Sequence, residues 1–68
     1  MSFVMFELTD GRGRLSINTS MIVAVHPRGI DLHGQEFVRL ESTDGWIEFV
    51  IGTLSEVQRK LNAGGRGA

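Results

Sequence analysis

Cysteine and tyrosine are absent from the 68 residues, and proline, tryptophan and lysine occur once each. Without cysteine there is no disulfide to staple the fold and no thiolate to hold a structural metal. Long apolar runs are absent too. Nothing approaches the ~18 apolar residues of a membrane span, and Met1-Ser2-Phe3-Val4 lacks the basic lead and apolar stretch of a signal peptide. A cytoplasmic chain without membrane insertion is therefore expected. A surplus of one charge sign is also missing: seven basic residues face eight acidic ones, for a net charge of −1. Chains that grip nucleic acid through its phosphates are usually basic, which disfavours non-specific binding. A chain this short buries only ~60% of the surface that its unfolded form exposes. Extra burial between copies is the expected remedy.

What is present reads as strands. Phe3–Leu8 places Val4, Phe6 and Leu8 on one face and Phe3, Met5 and Glu7 on the other, ending at the turn cluster Thr9-Asp10-Gly11-Arg12-Gly13. Arg14–Asn18 turns Leu15 and Ile17 inward. Met21–His26 follows and is predicted to stop at Pro27, which has no N–H for a ladder. Ile30–His33 reads as loop or edge strand.

Glu36–Thr43 and Trp46–Ile51 flank Asp44-Gly45, a dipeptide suited to a two-residue type I′ hairpin. That loop predicts Ser42 opposite Ile47, Leu40 opposite Phe49 and Val38 opposite Ile51. The reverse face then carries Phe37, Arg39, Glu41, Trp46, Glu48 and Val50. Thr53-Leu54-Ser55-Glu56 matches a capping box that opens a helix with Leu54, Val57 and Leu61 on one side. The helix is expected to end near Asn62 or Ala63, leaving residues 1–63 as one small β-rich domain. Residues 64–68 have no apolar anchor and are expected to form a disordered glycine-rich tail.

The pattern Leu8-Thr9, a glycine turn, Ile17-Asn18, spaced Ile22 and Val25, then Gly45, Val50 and Glu56-Val57 leading to Leu61 resembles the FlbD-like small proteins, the family of flagellar and swarming motility proteins. The likeness spans about residues 6–61. It departs at Thr19, where the family usually has proline, and at Ile51-Gly52-Thr53. The resemblance implies a non-enzymatic, partner-binding protein of a bacterium or a phage.

Residues that carry chemistry form few constellations. Five serines, Asp31 and His33 make no nucleophile elbow, so no enzyme activity and no cofactor are expected. His26, Asp31 and His33 are too loosely spaced for a metal site. Asp10–Arg14 is a candidate anion nest, and Arg12, Arg14, Arg28 and Arg39 are the candidate anion or nucleic-acid contacts. The competing reading is a solvated loop whose arginines pair with carboxylates. Phe37, Trp46, Val50 and Met5 form the candidate self-association face.

The expected fold is mainly β, an antiparallel sheet of about five strands bent into a small open barrel or roll with one C-terminal helix. Its predicted core is Leu8, Leu15, Ile17, Ile22, Val38, Leu40, Ile47, Phe49, Ile51, Leu54, Val57 and Leu61. The expected function is a non-enzymatic homo-oligomeric interaction module, a dimer or ring that leaves room for a protein partner. The alternative is a ring of Sm-like character that binds RNA or single-stranded nucleic acid.

Overall fold

Apolar alternation along the chain produces five strands, and the capping box produces one helix. The computed structural model describes residues 2–65. In chain order the elements are β1 (Phe3–Glu7), β2 (Arg14–Asn18), β3 (Ile22–Ile30), β4 (Glu36–Ser42), β5 (Ile47–Ile51) and α1 (Leu54–Gly65). The fold is mainly β, with two antiparallel sheets where one bent sheet was expected. β1 pairs with β2, and β3, β4 and β5 form a separate three-stranded sheet with β4 in the middle. A single bridge, Leu8 to Val50, joins them. No closed barrel is found among the described residues.

The β1–β2 turn is a tight 3-10 turn over Thr9–Gly11, with Asp10 at φ 59°. Leu8 N–H closes it on the Gly13 carbonyl at 2.7 Å. β3 does not stop at Pro27; it runs through it to Ile30. β3 pairs only with β4, and an edge strand tolerates a missing N–H on its open side. Its register also shifts between Ile22 and Ala24 and between Pro27 and Gly29. Two irregularities and a proline blunt this edge as a template for another strand.

The β4–β5 hairpin differs from its expected form by one residue. Ser42 N–H donates to the Trp46 carbonyl at 2.9 Å and Gly45 N–H to the Ser42 carbonyl at 3.0 Å, so the loop is Thr43-Asp44-Gly45. Gly45 has φ 88°, whereas Asp44 is absent from the positive-φ residues, and a type I′ turn needs both. Ser42 and Gly45 occupy the first and fourth places of a type I turn, which those residue types favour. The register becomes Val38 with Val50, Leu40 with Glu48 and Arg39 with Phe49. A one-residue change of pairing exchanges the faces of β5. Val50 therefore enters the core, while Ile47, Phe49 and Ile51 leave it.

The core consists of Phe6, Ile17, Val38, Leu40, Val50 and Val57, with Val4, Leu8, Leu15, Ile22, Val25 and Leu61 packed around it. Gly52, at φ 140°, makes the corner from β5 into α1, where a Cβ would meet Val57 Cγ2 at 3.0 Å. At the start of α1, Thr53 N–H donates to Glu56 Oε1 at 2.9 Å and Glu56 N–H to Thr53 Oγ1 at 3.1 Å, the reciprocal capping box. Lys60 ties α1 to β1, donating to the Met5 carbonyl at 2.9 Å with its ammonium over the Phe6 ring. The helix passes the expected stop and reaches Gly65. The remainder of the expected tail, 66–68, lies outside the described residues.

Replacing Thr53 by Ala removes one half of the cap and is expected to cost about 1 kcal/mol. The check is a lower urea midpoint with an unchanged m value. Three carboxylates lie below their ordinary range because they accept N–H or O–H donors: Asp31 chiefly from the Gln35 N–H, Asp44 from the Ser42 hydroxyl, and Glu56 from the Thr53 N–H. A depressed folded-state pKa stabilises the fold above the unfolded value. That contribution is expected to be complete above about pH 5 and to fade toward about pH 2. Urea midpoints measured across that range check it.

Candidate functional site

β4 is the middle strand of its sheet, so its two faces have different fates. Val38, Leu40 and Ser42 face the core, and Phe37, Arg39 and Glu41 face outward. By register Ile51, Phe49 and Ile47 of β5 stand beside those three, and Gly29, His26 and Ala24 of β3 lie on the other side. The helix and the β1–β2 sheet pack on the opposite side, against Val38, Leu40 and Val50.

The outer face has an apolar half and a charged half. Phe37 and Phe49 meet edge to face with ring centres 5.9 Å apart, and Ile47 is 43% exposed beside them. Toward β3, Glu41 Oε1 accepts from Arg39 Nη2 at 3.2 Å and lies 2.8 Å from His26 Nε2. Arg39 Nε is buried and has no hydrogen-bond partner. Such a face offers aromatic and aliphatic area next to both signs of charge.

The residues expected to form one self-association face lie on different surfaces. Phe37 belongs to the outer face. Val50 is fully buried in the core, and Trp46, just before β5 at the turn end of the hairpin, falls on the core-facing side. Met5 projects from β1, in the other sheet. The outer face instead carries Ile47, Phe49 and Ile51 beside Phe37. The signal that places them is Ser42 three residues before Gly45 in a type I turn, which outweighs the Asp44-Gly45 dipeptide.

The four candidate anion contacts are not brought together. Arg12 is committed to the fold. Its Nη2 donates to Glu48 Oε1 at 2.8 Å, to Thr9 Oγ1 at 3.1 Å and to the Phe49 carbonyl at 3.3 Å, while its Nε donates to the Thr9 carbonyl at 3.1 Å. This explains how Glu48 is tolerated on the core-facing side of β5, where it stands opposite Leu40. Arg39 serves Glu41. Arg14 and Arg28 are exposed and form no ion pair among the described residues. The Asp10–Arg14 turn holds no anion nest of free guanidiniums, because Arg12 folds back onto Thr9 and Glu48.

His26, Asp31 and His33 are likewise apart in role. His26 pairs with Glu41, and Asp31 Oδ1 accepts the N–H groups of His33 and Gln35, both at 2.9 Å. No group of three or more His, Cys, Asp or Glu suited to a metal is found among the described residues. The described residues also contain no helix long and apolar enough to cross a membrane.

Arg12→Ala leaves the partly buried Glu48 carboxylate without its cation and is expected to destabilise the fold by about 1–3 kcal/mol. Arg14→Ala is expected to stay within about 0.5 kcal/mol of the parent. Paired urea titrations check both.

Comparison with known protein families, with characterised proteins and with solved structures gives no match of any of the three kinds, so the functional reading rests on the geometry of this chain.

Proposed function

We propose that the chain is a non-enzymatic homo-oligomeric protein-interaction module whose outer sheet face packs against the same face of a second copy. The observation that carries this reading is the row of Phe37, Ile47, Phe49 and Ile51 on the sheet face turned away from the core, with Ile47 exposed and the other three half-buried. Apolar patches of this kind on small proteins mark contacts. A second copy is the occupant that the charges favour. Arg39 and His26 stand beside Glu41 on one face, so a two-fold contact can set each cation of one copy against the carboxylate of the other. Face packing is preferred over edge pairing because β3 is interrupted by Pro27 and two register shifts.

The resemblance of the Leu8-Thr9 to Leu61 pattern to the FlbD-like small proteins points the same way, toward holding a partner. The Sm-like alternative loses support from the engagement of Arg12 with Glu48 and of Arg39 with Glu41.

Light scattering after size exclusion is expected to give a mass above the 7.5 kDa of one chain, rising with concentration. Ile47→Lys, at an already exposed position, is expected to lower that mass while the circular dichroism spectrum stays unchanged. A 7.5 kDa species at all concentrations overturns the reading.

A further inference from the structure

The outer face leaves the strand edges unused. The three-stranded sheet ends in β3 and β5, and the two-stranded sheet in β1 and β2. β5 and β1 meet through the Leu8–Val50 bridge, and Lys60 of α1 takes the Met5 carbonyl of β1. β3 is blunted by Pro27 and two register shifts. That objection to edge pairing does not extend to β2. Arg14–Asn18 pairs residue for residue with β1 without a shift and contains neither proline nor glycine. An edge this regular is a template for another strand.

Hydrogen-bond parity shows what the edge offers. Leu8 N–H donates to the Gly13 carbonyl at 2.7 Å and Thr19 N–H to the Ser2 carbonyl at 2.9 Å, so the odd-numbered residues of β2 turn their main-chain groups to β1. Bonded and non-bonded pairs alternate along an antiparallel ladder. Arg14, Ser16 and Asn18 therefore point their N–H and C=O groups away from β1, at the open edge. A two-stranded ribbon is also marginal by itself, and β1–β2 is such a ribbon, joined to the larger sheet by one bridge.

We infer that β2 pairs edge to edge with β2 of a second copy, antiparallel about a two-fold axis at Ser16, so that two ribbons become one four-stranded sheet. This contact adds to the outer-face packing and rests on the homo-oligomeric reading above. A second copy is the occupant because the edge is self-complementary. Centring on Ser16 sets all of Arg14–Asn18 against itself and exchanges about six main-chain hydrogen bonds, at Ser16 and at both Arg14–Asn18 pairs. In that register Arg14 falls opposite Asn18 of the second copy rather than opposite another arginine, and Leu15 falls opposite Ile17 on the inner side. Glu7 stands beside Arg14, so the strands of each ribbon carry one charge of either sign and two copies do not repel. The area of the outer face calls for a second contact as well. It spans three strands, about 14 Å by 20 Å, a footprint on the order of 300 Å², against about 800 Å² per partner in a stable interface. Two different isologous contacts on one chain build an assembly larger than a dimer.

The chain has no cysteine, so one introduced at the axis reports the pairing by itself. Opposite residues of a hydrogen-bonded pair have Cα atoms about 5.5 Å apart, within disulfide reach. Ser16→Cys, at an exposed position, is expected to cross-link to twice 7.5 kDa under mild copper-phenanthroline oxidation. Arg14→Cys is expected to stay uncross-linked, because its two copies lie roughly 14 Å apart in this register and a disulfide needs Cα atoms within about 7 Å. In the wild-type chain the Arg14, Ser16 and Asn18 amides are expected to gain protection from hydrogen exchange as concentration rises. Equal cross-linking of the two variants, no cross-linking of Ser16→Cys, or Ser16 amide exchange that ignores concentration overturns the edge pairing. If that happens while Ile47→Lys still lowers the mass, the outer-face reading stands alone. If Ser16→Cys cross-links while Ile47→Lys leaves the mass unchanged, the outer-face packing fails and the edge pairing stands. A wild-type monomer at all concentrations overturns both.

Discussion

The hydrogen bond from Gly45 N–H to the Ser42 carbonyl fixes a three-residue loop between β4 and β5, and that loop decides which side of β5 meets the core. Strand faces alternate residue by residue, so the loop length selects between two opposite distributions of the same side chains. With this loop, Val50 joins Phe6, Val38 and Leu40 inside and carries the one bridge to Leu8 that links the two sheets. The same parity sends Glu48 to the inner side, where it stands only because Arg12 reaches across from the β1–β2 turn. It also sends Phe49 outward to meet Phe37. Core, sheet junction, ion pair and outer face thus follow from one turn.

Among the described residues one α-helix serves two sheets, and it packs on the inner side. Val57 is buried among the core residues and Lys60 anchors the helix to β1. On the reverse of β4 and β5, Phe37, Phe49 and Ile51 are half-buried and Ile47 is exposed. A small domain without disulfides has few ways to gain stability, and the proposed association through the outer face is one of them. The blunted β3 edge and the mixed charges beside Phe37 are what favour that face over the edge in the proposal.

Much of the fold was legible where local chemistry is unambiguous. β2 begins and ends where its alternation does, and Thr53 with Glu56 marks the start of α1 by a cap whose two bonds are both present. Pro27 misled because its cost depends on whether the strand has one neighbour or two, which is a tertiary fact. Asp44-Gly45 misled because the dipeptide serves more than one turn. The deciding partner is Ser42, whose hydroxyl bonds the Asp44 carboxylate while Trp46 N–H donates to both groups. The outer face follows the same turn: the alternation of β4 alone puts Phe37 on it, whereas the observed register puts Phe49 and Ile47 there in place of Val50 and Trp46. The role of Arg12 was not legible, since Glu48 lies 36 residues away and meets it only through folding.

The most direct test of this account is isotope-filtered nuclear Overhauser spectroscopy on a mixture of labelled and unlabelled chains. The outer-face packing predicts intermolecular cross-peaks from the Phe37 and Phe49 rings to the Ile47 and Ile51 methyl groups, and none from Val50. Cross-peaks to Val50, or an outer face with only intramolecular neighbours at concentrations where the mass exceeds one chain, would contradict it.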